Sequence, residues 1–297
     1  MNSQPQNELI SVALCTYNGA LYLEDQLFSI VNQSYKNLEI IILDDCSEDD
    51  TIAIIENFQE ADSRIKLYRN EKNIGFNQNF LNAIGLCSAN YIALSDQDDI
   101  WMLDKIDRMI SQIGDNLLFY HNSAYINEQD ELNGRSTLSA HRFVKGYCSR
   151  ELLLNNCVAG HACLIKKELI ALVPAIPANF YYDWWLAYTA ACVGRIGFTN
   201  EILVKYRLHQ HSITQNDKKR SRLNRMNNFA HLQSHSSTPK GVRLYIGSLL
   251  TNYYSLISDR FSLRLFFLLL TNYNSIFYTR KRSVFSNLVF LVKESIN

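Results

Sequence analysis

The stretch Ser95-Asp96-Gln97-Asp98-Asp99-Ile100-Trp101 places three carboxylates within four positions. It follows directly on the apolar run 91–94, which predicts a buried strand that delivers the carboxylates to one edge of a sheet. Like charges packed together are costly unless a cation neutralises them, and a divalent cation held by one or two carboxylates keeps positions open for phosphate oxygens. The stretch therefore predicts a metal and diphosphate site. The alternative is a solvated acidic turn that caps the next helix.

The segments before this stretch alternate between strand and helix patterns. Strand patterns lie at 9–15, 38–43, 65–68 and 91–94, and helical patterns lie at 20–33, 49–58 and 80–87. This alternation predicts a doubly wound, mostly parallel sheet flanked by helices. Ligands of such sheets bind beyond the carboxyl ends of the strands. The polar strand ends are therefore expected to converge on one crevice.

Phosphate-binding motifs of other α/β proteins are missing from the sequence. The turn after the first strand lacks G-x-G-x-x-G, and G-x-x-x-x-G-K-[ST] does not occur in the chain. These absences disfavour a dinucleotide-dependent oxidoreductase and a P-loop NTPase.

The pattern is less regular after residue 115. Strands are predicted at 117–120, 162–165 and 202–206, a loop at 130–141, and helices at 151–155, from Asp183 to Cys192 and from Lys240 onward. The segment 180–185 places one carboxylate, Asp183, among five aromatic residues.

Composition describes an ordinary globular protein. The 297 residues are 47% hydrophobic and 20% charged, enough for one large α/β domain with an appendage, or for two domains. The seven cysteines are scattered and form no C-x-x-C pair, which favours reduced core residues of a cytosolic protein over a disulfide framework or a zinc site. The polar start of the chain and the lack of a long uncharged apolar run predict neither a signal peptide nor a transmembrane helix.

Charge is balanced overall but divided unequally along the chain. The formal net charge is zero, yet residues 217–297 carry 13 Lys and Arg against 3 Asp and Glu. An acidic body with a basic, aromatic-rich tail favours contact between the tail and an anionic partner such as a membrane surface. The alternative is a tail that packs on the acidic body or on a second subunit.

Taken together, these segments resemble the family 2 glycosyltransferases of the inverting GT-A type. The matching pieces occur in the family's order: Val12–Asn18, 43–51 with Asp44-Asp45, Asn73-Ile74-Gly75, the D-x-D element at Asp96-Gln97-Asp98, Asp183-Trp184-Trp185 and Tyr206-Arg207-Leu208-His209. Cys46 stands where the family commonly has glycine. The resemblance covers about residues 8–215.

The resemblance implies a GT-A type nucleotide-diphospho-sugar transferase fold: an α/β protein with a mostly parallel central sheet and a C-terminal helical extension. It implies a catalytic domain at 1–215, with a nucleotide-sugar half at about 8–115 and an acceptor half at about 116–215. Residues 216–297 would form a basic, aromatic-rich helical region. The sequence of residues 95–101 looks like the corresponding segment in rhamnosyltransferase-like members of this family.

The same resemblance implies a nucleotide-diphosphate sugar donor, a UDP- or dTDP-sugar, and a bound Mg2+ or Mn2+. Donor contacts are implied for Thr16, Tyr17, Asn18, Asp45, Asn73, Asp96 and Arg207, and metal ligation for Asp98 and His209. Asp183 is the candidate general base, because neighbouring aromatic rings would desolvate its carboxylate and raise its pKa.

The implied reaction joins a sugar to a glycan or lipid-linked oligosaccharide in bacterial surface-polysaccharide synthesis, in the cytoplasm at the inner membrane face. Peripheral membrane contact is assigned to residues 240–297, nucleic acid is not expected as a partner, and homo-oligomerisation stays open. Alternatives are a nucleotidyltransferase acting on sugar phosphates and an inactive sugar-binding relative. Asp183 could instead cap its helix, and Arg207 and His209 could be structural.

Overall fold

The computed structural model describes residues 7–178, 180–209, 221–256 and 260–296. Its strands are β1 Ile10–Thr16, β2 Leu38–Asp44, β3 Ile65–Arg69, β4 Tyr91–Ser95, β5 Ile100–Trp101, β6 Leu118–Ile126, β7 Leu132–Ser136, β8 Cys163–Lys166 and β9 Ile196–Arg207. Its α-helices are α1 Ala20–Val31, α2 Thr51–Ala61, α3 Phe76–Leu86, α4 Lys105–Gln112, α5 Thr137–Ala140, α6 Tyr182–Val193, α7 Arg222–Ser234, α8 Lys240–Ser255, α9 Leu263–Thr271, α10 Tyr273–Ile276 and α11 Val284–Glu294. Two 3-10 helices cover Gly160–Ala162 and Lys167–Leu172.

The strands form one sheet in the order β3-β2-β1-β4-β8-β6-β9-β5, with β7 on β6. The first four strands are parallel, and every residue of β1 and β2 is buried, as apolar runs of parallel strands require. Thr16 lies level with Asp44, and Leu14 lies level with Ser95. The polar ends of β1, β2 and β4 therefore share one edge, as predicted.

The second half of the sheet mixes strand directions. Strand β8 is antiparallel to both β4 and β6, whereas β6 and β9 are parallel. The short strand β5 pairs antiparallel with β9 and sets Ile100 opposite Lys205. This pairing brings the end of β9 beside the acidic stretch, although about a hundred residues separate them.

Two local predictions are wrong. The predicted loop 130–141 contains β7 and α5. Four of the five residues of β7 are exposed, so its sequence shows no alternation of buried and exposed side chains. The side chain of Ser136 caps α5. The predicted helix 151–155 is a series of turns. Its three consecutive leucines, Leu152, Leu153 and Leu154, are all buried, and one helical face could not bury three successive side chains.

The C-terminal helices pack against the α/β core instead of standing apart. Phe229 of α7, Ile246 of α8 and Leu291 of α11 belong to the same buried cluster as Trp184 and Leu186 of α6. The domain boundary predicted between residues 215 and 216 lies outside the described residues. No helix of the described ranges is both long and apolar enough to span a bilayer.

Candidate active site

The acidic loop that follows β4 is tied to the turn that follows β1. The side chain of Gln97 accepts a hydrogen bond from the Tyr17 N–H at 2.8 Å and donates one to the Tyr17 carbonyl at 3.1 Å. A Cβ on Gly19 would lie 2.3 Å from Gln97 Oε1, so glycine is required for this approach. Gln97 thus joins two strand tips, and its place inside the D-x-D element is the sequence signal that could have revealed it.

Asp44 and Asp45, at the tip of β2, support different loops. Asp44 accepts hydrogen bonds from Thr16 Oγ1 at 2.9 Å and from the Ser47 N–H at 2.8 Å. Asp45 accepts from Asn70 Nδ2 at 2.9 Å, from the Ile74 N–H at 2.8 Å and from the Gly75 N–H at 2.9 Å. Both carboxylates therefore hold the crevice wall in shape.

The remaining predicted donor-side residues line the same edge. Asn18 has a φ of 46°, and its side chain accepts a hydrogen bond from the Glu48 N–H at 2.9 Å. Tyr17 is 46% exposed, and Asn73 is exposed with its Oδ1 3.1 Å from the Gly75 nitrogen. The buried Thr16 hydroxyl donates to Asp44, whereas Tyr17 is exposed at the edge.

The D-x-D element meets the end of β9. Asp98 Oδ2 lies 2.7 Å from His209 Nε2, and the Asp98 carbonyl accepts a hydrogen bond from Arg207 Nε at 2.9 Å. The buried Arg207 guanidinium also pairs with Asp130 and lies 4.4 Å from the Tyr22 ring centroid. Arg207 therefore braces the acidic loop, and its Nη2 has no hydrogen-bond partner among the described residues.

Asp183 lies in the first turn of α6 and faces the same region. Its Oδ1 accepts a hydrogen bond from the Trp184 N–H at 2.6 Å. Burial raises the pKa of Asp183 to about 7, and the negative charge of Asp96 adds to this increase. A Cβ on Gly160 would lie 2.0 Å from Tyr182 Oη, so a larger residue at position 160 would displace the buried Tyr182 side chain.

A buried polar cluster lies behind the acidic loop. His161 Nδ1 lies 3.7 Å from a carboxylate oxygen of both Asp96 and Asp99, and its Nε2 lies 2.9 Å from Ser123 Oγ. Lys105 Nζ donates to the His161 carbonyl at 2.7 Å, and burial lowers the pKa of Lys105 to about 7. Burial and the neighbouring carboxylates raise the pKa of Asp99, whose Oδ2 lacks a hydrogen-bond partner among the described residues.

The cluster contains a second arrangement of metal-ligand types. Ligand atoms of Asp96, Asp99 and His161 all lie within 4.8 Å of one another. Local sequence pattern does not reveal the contact between His161 and Lys105, because their closeness depends on β8 lying between β4 and β6.

The strand tips, the acidic loop, Asp183 and the end of β9 thus form one crevice at the carboxyl edge of the sheet. This placement is the one that α/β enzymes use for nucleotide ligands. The fold and the crevice are those of an α/β enzyme with a ligand site at the strand tips, and comparison with known proteins identifies its family.

The chain belongs to the family described as glycosyl transferase family 2, whose model matches residues 11–171. One relative is an Escherichia coli protein named UDP-Glc:alpha-D-GlcNAc-diphosphoundecaprenol beta-1,3-glucosyltransferase WfgD. It is 29% identical over 213 residues, which cover 70% of this chain and 80% of that protein. The alignments with three of the relatives, WfgD among them, cover 66%, 82% and 80% of the lengths of those relatives.

Solved structures share the fold. S. aureus TarS 1-349 in complex with UDP-GlcNAc matches with a TM-score of 0.63 and 13% identity, over 91% of this chain and 81% of that one. The mannosyltransferase PcManGT from Pyrobaculum calidifontis, in complex with GDP-Man and Mn2+, matches with a TM-score of 0.56 and 15% identity, over 97% and 79%. The predicted GT-A fold and glycosyltransferase class are confirmed.

Proposed function

We propose that this chain transfers a sugar, with inversion and with the help of a divalent cation, from a nucleoside diphosphate to a hydroxyl of a glycan or lipid-linked acceptor. One observation carries the proposal: a single crevice holds a D-x-D element beside an imidazole together with a partly buried carboxyl group. The pKa of that carboxyl, Asp183, is raised to about 7. The first feature suits a diphosphate leaving group, and the second suits a base for the acceptor.

The donor nucleoside is assigned to the tips of β1 and β2. Asp45 already accepts three hydrogen bonds, and a carboxylate offers about four acceptor sites, so one site stays for a base N–H. Tyr17, Asn18 and Asn73 would line the nucleoside side, with Thr16 supporting them through Asp44. Asp96 is assigned to the ribose or sugar, and the uncommitted Nη2 of Arg207 to phosphate.

Asp98 and His209 fit a divalent cation of the Mg2+ or Mn2+ type. Their facing atoms are a carboxylate oxygen and an imidazole nitrogen, 2.7 Å apart, and such ligands suit Mn2+ in particular. A cation held there would neutralise the charge that develops on the departing nucleoside diphosphate. The presence of Mn2+ in the PcManGT complex supports this assignment.

Asp183 would act as the general base. The acceptor hydroxyl gives its proton to the Asp183 carboxylate while its oxygen bonds to the anomeric carbon. The bond from that carbon to the diphosphate oxygen breaks at the same time, and the electron pair leaves with the nucleoside diphosphate. A single displacement of this kind inverts the anomeric centre, so it requires no nucleophile from the enzyme.

The pH dependence of turnover should report the Asp183 carboxyl. A base must be deprotonated, and the raised pKa of about 7 means that half of the enzyme carries the inactive carboxylic acid at that pH. We expect kcat/KM for the acceptor to fall about tenfold per pH unit below this pKa and to level off above it. Initial rates between pH 5 and 9, at acceptor concentrations well below KM with donor and Mn2+ present, test this, and a flat profile would contradict the assignment.

The relatives support a class of acceptor and a cellular location. WfgD is named for a diphosphoundecaprenol-linked acceptor, which supports a lipid-linked acceptor in bacterial surface-polysaccharide synthesis for this chain. We assign the reaction to the cytoplasmic face of the membrane, and catalysis to residues 1–215 with 216–297 as a helical extension. The donor is assigned to the UDP- or dTDP-sugars, and TarS supports UDP by its complex.

A donor screen tests the proposal directly. The full-length chain is incubated with Mn2+, lipid-linked acceptor glycans and a panel of UDP- and dTDP-sugars, and products are identified by mass spectrometry. We expect one acceptor to gain a single hexose or deoxyhexose residue, with release of the nucleoside diphosphate. Release of pyrophosphate would indicate a nucleotidyltransferase, and donor binding without turnover across the panel would indicate an inactive relative.

A further inference from the structure

Helix α11 exposes several of its apolar residues and buries an acidic one. Phe285, Leu288, Val289 and Val292 recur at helical spacing, and their exposures are 76%, 37%, 37% and 43%. On the opposite side, Glu294 is buried, pairs with Arg225 and accepts a hydrogen bond from Tyr253 Oη at 2.8 Å. A helix that completes a core normally has the reverse arrangement.

Helix α9, which packs against α11, also exposes apolar residues along one face. Leu263, Phe267 and Leu270 lie on one helical face with exposures of 60%, 55% and 36%. Their neighbours Leu265 and Leu269 are buried and supply the contact with the core. The two helices therefore present apolar stripes to the outside. Apolar exposure on this scale marks an interaction surface.

The charges around these stripes have one sign. Residues 260–293 contain no Asp or Glu, and their exposed cations are Arg260, Arg264, Lys281, Arg282 and Lys293. A cavity of about 410 Å³ beside α11 is lined by Arg225, Arg280, Lys281, Arg282 and Phe290, among others. Burial lowers the pKa of Arg280, and the neighbouring cations Arg282 and Arg225 lower it further. This crowding of cations indicates a place suited to anionic groups.

We propose that α9 and α11 dock this protein on an anionic lipid bilayer. The apolar stripes enter the boundary between headgroups and acyl chains, and the cations take lipid phosphates. The charge complementarity between an all-cationic rim and an anionic leaflet selects this occupant. The positions of the cations and of the exposed apolar side chains define this surface. Docking on a bilayer is a property beyond the transfer reaction proposed above and does not depend on that reaction.

Vesicle co-sedimentation tests the proposal on the full-length chain without any nucleotide sugar. We expect binding to vesicles of phosphatidylglycerol and phosphatidylcholine, little binding to pure phosphatidylcholine, and weaker binding as salt rises. The double variant Leu288→Glu/Val292→Glu should reduce the bound fraction about tenfold or more, because both side chains are exposed and face the leaflet. The matched control Leu103→Glu/Leu244→Glu changes two exposed residues elsewhere and should bind as the parent does.

Other occupants predict other results. A second copy on this surface would give a concentration-dependent dimer in light scattering, dissociated by Leu288→Glu/Val292→Glu, and no vesicle binding; that result would overturn the proposal. Equal binding to anionic and neutral vesicles would overturn it too. Because Asp183→Asn leaves the surface unchanged, that variant should bind vesicles like the parent, which separates this test from the test of catalysis.

Discussion

Replacement of Asp98 by alanine is expected to remove cation-dependent donor binding. The variant loses the carboxylate that faces His209 at 2.7 Å, and a cation site reduced to one imidazole holds Mg2+ or Mn2+ poorly. The contact of the Asp98 carbonyl with Arg207 involves the main chain and persists, so the loop is expected to keep its path. We expect donor affinity in the presence of Mn2+ to fall about a hundredfold or more.

Isothermal calorimetry with UDP and UDP-sugars, with Mn2+ and with EDTA, measures this effect. Asp115→Ala is the matched control, because it removes an exposed carboxylate between α4 and β6. Parent and control should bind the donor more tightly with Mn2+ than with EDTA, whereas Asp98→Ala should show no such difference. Unchanged affinity of Asp98→Ala in Mn2+ would refute the assignment of Asp98 as a ligand. The cluster of Asp96, Asp99 and His161 would then be the next candidate.

Replacement of Asp183 by asparagine is expected to abolish transfer while leaving donor binding intact. The amide has nearly the shape of the carboxyl group, and its oxygen can still accept the hydrogen bond from the Trp184 N–H. It cannot take a proton from the acceptor hydroxyl. General-base catalysis contributes about 10² to 10⁴ in rate, so kcat should fall by that factor.

Two measurements, turnover by mass spectrometry and donor affinity by calorimetry, distinguish a role of Asp183 as general base from a purely structural role. Glu168→Gln is a suitable control, since it makes the same chemical change at an exposed site. A loss of transfer with donor affinity within about twofold of the parent value supports a base, whereas near-normal turnover would exclude it. If Asp183 only supported the first turn of α6, Asp183→Asn would keep both thermal stability and turnover, because the amide oxygen still accepts the Trp184 N–H.

The parallel half of the fold could be predicted from short-range patterns. The buried strands β1, β2 and β4 consist of continuous apolar runs, and each run ends in polar residues at its carboxyl end. Because a helix connects each of these strands to the next, the strands run parallel and their carboxyl ends lie at one edge of the sheet. For this reason the sequence alone predicts that Asp45 and the D-x-D element share a crevice.

The second half of the chain could be predicted less well. Burial of three consecutive leucines at 152–154 gives no periodicity from which to identify an element, and β7 is exposed for most of its length. Arg207 was expected to face phosphate, yet most of its donors contact Asp130 and the Asp98 carbonyl. These contacts depend on partners distant in the chain, which local pattern does not reveal.

Local pattern thus accounts for the residue types at the strand tips, and the resemblance carried by the ordered motifs accounts for the glycosyltransferase class. The pairing of β5 with β9, the approach of His209 to Asp98, the partial burial of Asp183 and the outward stripes of α9 and α11 arise from tertiary packing. The physical reason is range: strand and helix patterns reflect neighbours a few residues apart. Ligand geometry, pKa shifts and exposed surfaces depend on which distant segments the fold brings into contact.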